Sequence, residues 1–167
     1  MKNDKKIIIV ILMSLFIFFF YFFFNLNFLS DFIDEKGDAL TYDNYVRLGI
    51  PRYLYNPHHL AFDWVGKKII QWANNNGFKG TSMVLLQLRN LFVSSLFLSV
   101  LFIFLYVYSK KILLSLSFCL LTAFSLGYWI YSQINDTPII HSVLIASLFL
   151  ILLQYRQVKK NGFLQFL

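Results

Sequence analysis

Apolar residues in this chain come in long, nearly unbroken runs. The first is Ile7 to Phe24, eighteen residues interrupted only by Ser14. At about 1.5 Å per helical residue it nearly crosses a hydrocarbon layer roughly 30 Å thick, and Asn25 to Leu29 can complete the crossing. Three more runs follow at Met83–Tyr108, Ile112–Tyr131 and Ile139–Tyr155. Ser109-Lys110-Lys111 and Ser132–Pro138 separate them, and the last is short with His141 near its start. A signal peptide is the competing reading of the first run, because Lys2, Lys5 and Lys6 precede it. Its apolar part is longer than a typical signal core, and no small-x-small cleavage pattern follows, so a retained anchor is favoured. The pattern predicts an all-α integral membrane protein, one domain over residues 1–167. Four transmembrane helices (7–29, 83–108, 112–131 and 139–155) flank one large, partly helical loop at 30–80.

That loop has its own pattern. Gly37 to Leu48 is compatible with a short helix stopped by Gly49-Ile50-Pro51, and Pro51 and Pro57 bracket an extended stretch. From His58 a second helix is predicted, ending at Asn74-Asn75-Asn76-Gly77. Within it Phe62, Val65, Ile69 and Trp72 recur at spacings of three and four, while Asp63, Lys67, Lys68 and Gln71 fall elsewhere on the wheel. An amphipathic helix with two tryptophans, tethered between two spans, would lie along a membrane surface. Packing over the bundle is an equally compatible alternative.

Composition supports the membrane assignment. The 167 residues are 58% hydrophobic and 20% aromatic, and only 14% are charged, well below the charged fraction of soluble domains. The net charge of +7 is not a nucleic-acid signature, since the cations collect at the ends of apolar runs. With the N-terminus cytoplasmic, the inner side receives Lys2, Lys5, Lys6, Lys110, Lys111, Arg156, Lys159 and Lys160. The loop Ser132–Pro138 has no basic residue, and the long loop balances six basic against six acidic residues. The positive-inside rule therefore predicts a multi-pass protein of the cytoplasmic membrane, both termini cytoplasmic and the long loop extracytoplasmic. Cys119, the single cysteine, lies in an apolar run and reads as a packing residue.

Six of the eight acids and two of the three histidines lie between Asn25 and Gly80. An unpaired charge is costly in hydrocarbon, so reactive groups are expected to gather in such a loop. Asp38 can serve as a general base at the outer face, or cap a helix ahead of Ala39 to Tyr42. Asp136, in Gln133-Ile134-Asn135-Asp136-Thr137-Pro138, is expected on the same face, or as a cap for the fourth helix. Two carboxylates converging from separate loops make a minimal acid/base or metal-holding pair. His58 and His59 are adjacent, so on a helix they diverge and cannot easily share one metal. Arg89, beside Asn90, lies about two turns inside the second span; it either snorkels outward or holds an anionic group such as a lipid phosphate.

The order of these features resembles the N-terminal part of the GT-C polytopic glycosyltransferases, the class of protein O-mannosyltransferases and bacterial lipid-linked sugar transferases. The resemblance rests on the Gly37-Asp38-Ala39…Tyr42 and Asn56-Pro57-His58-His59-Leu60 strings, on Leu88-Arg89-Asn90, and on Gly127-Tyr128-Trp129-Ile130-Tyr131-Ser132-Gln133-Ile134-Asn135-Asp136. It implies a glycosyltransferase of the cell envelope that moves a sugar from a polyprenyl-phosphate donor to an extracytoplasmic acceptor. Asp38 and Asp136 would be its catalytic acids. Asp34, Tyr42, Asn56, His58, His59 and Arg89 would line the substrate site. No cofactor is expected, with a divalent metal left as an open alternative. The implied partners are a polyprenyl-phosphate-linked sugar and membrane lipid, and no nucleic acid. Members of the class have more spans than the four expected here, so the chain reads as a truncated or incomplete enzyme, with a second chain as one source of the missing helices. The alternative is a non-catalytic four-helix membrane subunit or translocation partner for lipid-linked sugars.

Overall fold

The computed structural model describes residues 2–29, 44, 47–48, 62–134 and 138–161. Among them are six helices and no strand: α1 (Lys2–Leu26), α2 (Phe62–Asn75), α3 (Ser82–Ser109), α4 (Ile112–Ala123), α5 (Leu126–Gln133) and α6 (Pro138–Asn161). Asn44, Arg47 and Leu48 are helical; the rest of the expected Gly37–Leu48 helix lies outside the described residues. Two helices are long and apolar enough to cross a membrane, α1 from Lys6 and α3, and a third span results if α4 and α5 are taken as one bent element. In α6 the described apolar stretch is Ser142–Leu153.

The surface is inside-out relative to a soluble protein. Ile8, Leu12, Phe16, Phe19 and Phe23 of α1 are exposed, as are Phe92, Leu96 and Val100 of α3 and Leu144, Ile145 and Leu148 of α6. Such a surface suits contact with lipid. The α1 phenylalanines stack on one another at a spacing of four, with Phe16–Phe20 and Phe20–Phe24 centroids both 5.7 Å apart. This is the spacing at which helical neighbours lie one above the other.

Packing selects one narrow stripe of α1. Val10, Ser14, Ile17, Tyr21 and Asn25 are buried at steps of four, three, four and four, which is one helical face. The stripe packs antiparallel against α3, with Ser14 beside Ser99 and Phe18 edge-on to Phe92 at 5.5 Å. Ser99 Oγ donates to the Ser14 carbonyl at 2.7 Å, and Ser14 Oγ donates back to the Ser99 carbonyl at 3.5 Å. A side chain as small as serine lets two backbones approach this closely, and its hydroxyl then finds an acceptor on the neighbouring helix.

Helix α3 is the hub, in contact with each of the other five. Thr81 caps its start, accepting from the Val84 N–H at 3.4 Å. At its end Lys110 adopts a left-handed conformation (φ 56°), and its N–H reaches the Tyr106 carbonyl at 2.8 Å. That cap reverses the chain while leaving a cation by the electronegative helix terminus. Ser109 Oγ then accepts from the Lys111 N–H at 3.1 Å, so α4 starts at once. Antiparallel packing therefore gathers Lys6, Lys110 and Lys111 at one end of the bundle, and Asn25 and the start of α3 at the other. Cys119 is fully buried against α3, its thiol 3.7 Å from the Leu98 carbonyl, consistent with its reading as a packing residue.

The expected single span Ile112–Tyr131 is instead two helices meeting at 63°. Thr122 Oγ1 donates back to the Phe118 carbonyl at 2.9 Å, and Ser125 Oγ to the Thr122 carbonyl at 2.8 Å. These hydroxyls compete for the carbonyls that the helix ladder needs, and Ser125 is extended (ψ 137°) where the ladder stops. The helix resumes through the Trp129 N–H to the Ser125 carbonyl at 2.9 Å. Apolar runs disclose length but not such a break.

Replacing Ser99 by leucine should force α1 and α3 apart and cost about 1–3 kcal/mol by overpacking. Ser99→Ala should cost only about 0.6 kcal/mol, near the average for interhelical hydrogen bonds in lipid. Denaturation in mixed micelles checks both. An equal cost for the two variants would show that close approach is not what the serine provides.

Candidate functional site

The end of the bundle away from Lys6, Lys110 and Lys111 holds a cluster of buried polar groups. It is built from the last turns of α1, the first turns of α3 and the half-helix α5. Asn25 is at its centre. Its Nδ2 donates to the Tyr21 carbonyl one turn back, at 2.8 Å, which aims its Oδ1 across the bundle. That oxygen accepts from Trp129 Nε1 at 2.6 Å and from Gln133 Nε2 at 2.8 Å. If the Gln133 amide is turned over, it donates to the Phe28 carbonyl at 2.6 Å and accepts from Trp129 Nε1 at 2.6 Å. Either orientation ties α5 to the end of α1. Trp129 and Gln133 share a face because they are four residues apart, as are Tyr21 and Asn25.

One layer deeper, Tyr21 Oη and Ser132 Oγ are 2.9 Å apart. The Ser132 proton is directed to the Trp129 carbonyl at 2.8 Å, so Tyr21 is the donor of this pair. Tyr128 Oη donates to the Ser94 carbonyl at 2.7 Å, fastening α5 to α3. The Tyr21 and Tyr128 rings lie 5.9 Å apart. Ser94 Oγ in turn donates to the Asn90 carbonyl at 2.8 Å.

The third side of the cluster is α3. Asn90, fully buried, donates from Nδ2 to the Ile134 carbonyl at 2.8 Å just past the end of α5. Arg89 Nε donates to Asn90 Oδ1 at 3.2 Å. Arg89 is only 8% exposed, so it turns into the protein and does not snorkel, one of the two alternatives raised by its position. A guanidinium has five donors in a planar fork and cannot shed its charge.

Of the expected site residues, Arg89 is the one within the described part of the chain. Asp34, Asp38, Tyr42, Asn56, His58, His59 and Asp136 lie outside it. Among the described residues, no three histidine, cysteine, aspartate or glutamate side chains converge. The cluster also contains residues to which the sequence reading gave no role in a site: Tyr21, Asn25, Asn90, Ser132 and Gln133. The available signal was amides and hydroxyls inside apolar runs, repeating at intervals of four.

No family model, curated protein or solved structure matches this chain.

Asn25→Ala should leave the Trp129 indole N–H without its Oδ1 acceptor and loosen α5, costing about 1–2 kcal/mol. A double-mutant cycle with Trp129→Phe measures the shared term, with a coupling of about 0.5–1.5 kcal/mol expected. Additive losses would show that the two side chains act independently.

Proposed function

We propose that this protein, alone or with a partner chain, transfers a sugar from a polyprenyl-phosphate carrier at the extracytoplasmic face of the cytoplasmic membrane. This is chemistry of the GT-C kind. The observation that carries the proposal is Arg89, a buried cation about two turns along α3, at the bundle end opposite Lys6, Lys110 and Lys111. With the lysine end cytoplasmic, as the positive-inside rule favours, that end faces outward. A polyprenyl carrier confines its phosphate to this depth, where a guanidinium can bind it in a fork.

In this scheme Arg89 steadies the phosphate, and Asp38 takes the proton of the acceptor hydroxyl. The acceptor oxygen forms a bond to the anomeric carbon as the carbon–oxygen bond to phosphate breaks, and polyprenyl phosphate leaves. Asp136 is assigned as the second acid. It follows Ile134 by two residues, and the Ile134 carbonyl is held by Asn90. Asp34, Tyr42, Asn56, His58 and His59 are assigned to the sugar and acceptor.

A second reading has its own support. Asn25, Trp129, Gln133, Tyr21 and Ser132 are hydrogen-bonded to one another, as they would be in a non-catalytic helical subunit held together by polar contacts.

The test uses the full chain in proteoliposomes with a radiolabelled polyprenyl-phosphate hexose. Asp38→Asn should reduce transfer by about 100-fold or more, the usual scale of a general base. Arg89→Gln should weaken use of the donor by about tenfold, the loss of one or two charge-assisted hydrogen bonds. Transfer that survives both substitutions would overturn the assignment. An unaltered chain that neither transfers nor cross-links the donor would favour the subunit reading.

A further inference from the structure

Helix α2 turns Val65 and Trp72 of its apolar stripe outward and buries small residues. Gly66 and Ala73 are buried, and at roughly 100° per helical residue they point the same way. Helix α2 contacts α3. Trp72, at 69% exposed, Trp64, at 42%, and Val65 lie on the outward side. Together with Lys68 and Ile69 they line an open apolar hollow. Lys68 Nζ sits 5.7 Å from the centre of the Trp64 ring. The helix thus buries its smallest side chains and shows its largest.

We propose that this tryptophan face is a lipid-binding surface, seated at the boundary between head groups and acyl chains. Three observations select that occupant. Indole rings and a lysine stem need apolar contact, while the indole N–H and the ammonium need polar partners, and this boundary supplies both. The depth is set by the chain: only residues 76–81 separate α2 from α3, a helix long and apolar enough to span. At most about 3.5 Å per residue, that link cannot carry α2 far from the membrane edge. Exposed apolar residues also cover α1 and α3, so the same medium suits all three. The burial of Gly66 and Ala73 leaves the tryptophan side of α2 as the open one. The inference needs only the membrane and α2, and stands whether or not a sugar is transferred.

Single cysteines at Trp64, Lys68, Trp72 and Asn74, in a Cys119→Ala background, can be spin-labelled in nanodiscs of phosphatidylcholine and phosphatidylglycerol. Labels at 64 and 72 should favour oxygen over a water-soluble nickel complex several-fold more than the label at 74. The label at 68 should fall between them. Labels at 64 and 72 that meet nickel as freely as the one at 74 would place the face in water and overturn the proposal. Labels at 64 and 72 shielded from both probes would mean that protein, a second copy included, covers the face, which also overturns it.

Discussion

Hydrocarbon offers no water to a buried polar group, so each such group in this protein has to find its partner on another part of the chain. That requirement shapes the bundle more than apolar packing does, because lipid tails are as apolar as leucine and give helices little reason to associate. The α1–α3 crossing is organised by Ser14 and Ser99, and the α1–α5 contact by Asn25, Trp129 and Gln133. The residues that hold the helices together are thus a minority of polar ones. The many phenylalanines of α1 mainly face outward.

The break between α4 and α5 follows from the same need for partners. A straight helix from Ile112 to Gln133 would keep its ladder intact. The hydroxyls of Thr122 and Ser125 take carbonyls from that ladder, and the half-helix beyond it is redirected by 63°. What replaces the lost continuity is lateral. Tyr128 bonds to α3, Trp129 and Gln133 to Asn25, and Ser132 to Tyr21. The break itself, Phe124 to Gly127, is exposed, and it is the far end of the half-helix, at Ser132 and Gln133, that protein buries. Here the bend brings Ile134 to Asn90, and therefore next to Arg89.

Tryptophan illustrates how one residue type serves opposite ends. Trp129 uses its N–H inside the bundle, where an unpaired donor would be costly. Trp64 and Trp72 stand outside it on α2. Spacing alone does not separate these cases. Trp72 recurs with Val65 and Ile69 as a buried stripe would, yet Gly66 and Ala73 are the residues turned inward. Small residues are nearly silent in a hydrophobicity pattern, so spacing does not show that they are the buried ones.

The sequence by itself determined that the chain is helical and apolar on the scale of a membrane, where α3 begins and ends, and that α2 stops near Gly77. Those properties are local: they depend on run length, on caps and on the left-handed turn at Gly77 (φ 82°). It also marked Arg89 as unusual, because a charge inside an apolar run is conspicuous. Tertiary structure alone decided that Arg89 turns inward, that Asn25 is a junction and not the start of a loop, and that the third apolar run is broken. The Asn25 junction depends on a partner far along the chain, 104 residues away for the Asn25–Trp129 bond, whereas the break rests on hydroxyls bonded three and four residues back. No periodicity within one helix records what the neighbouring helix supplies.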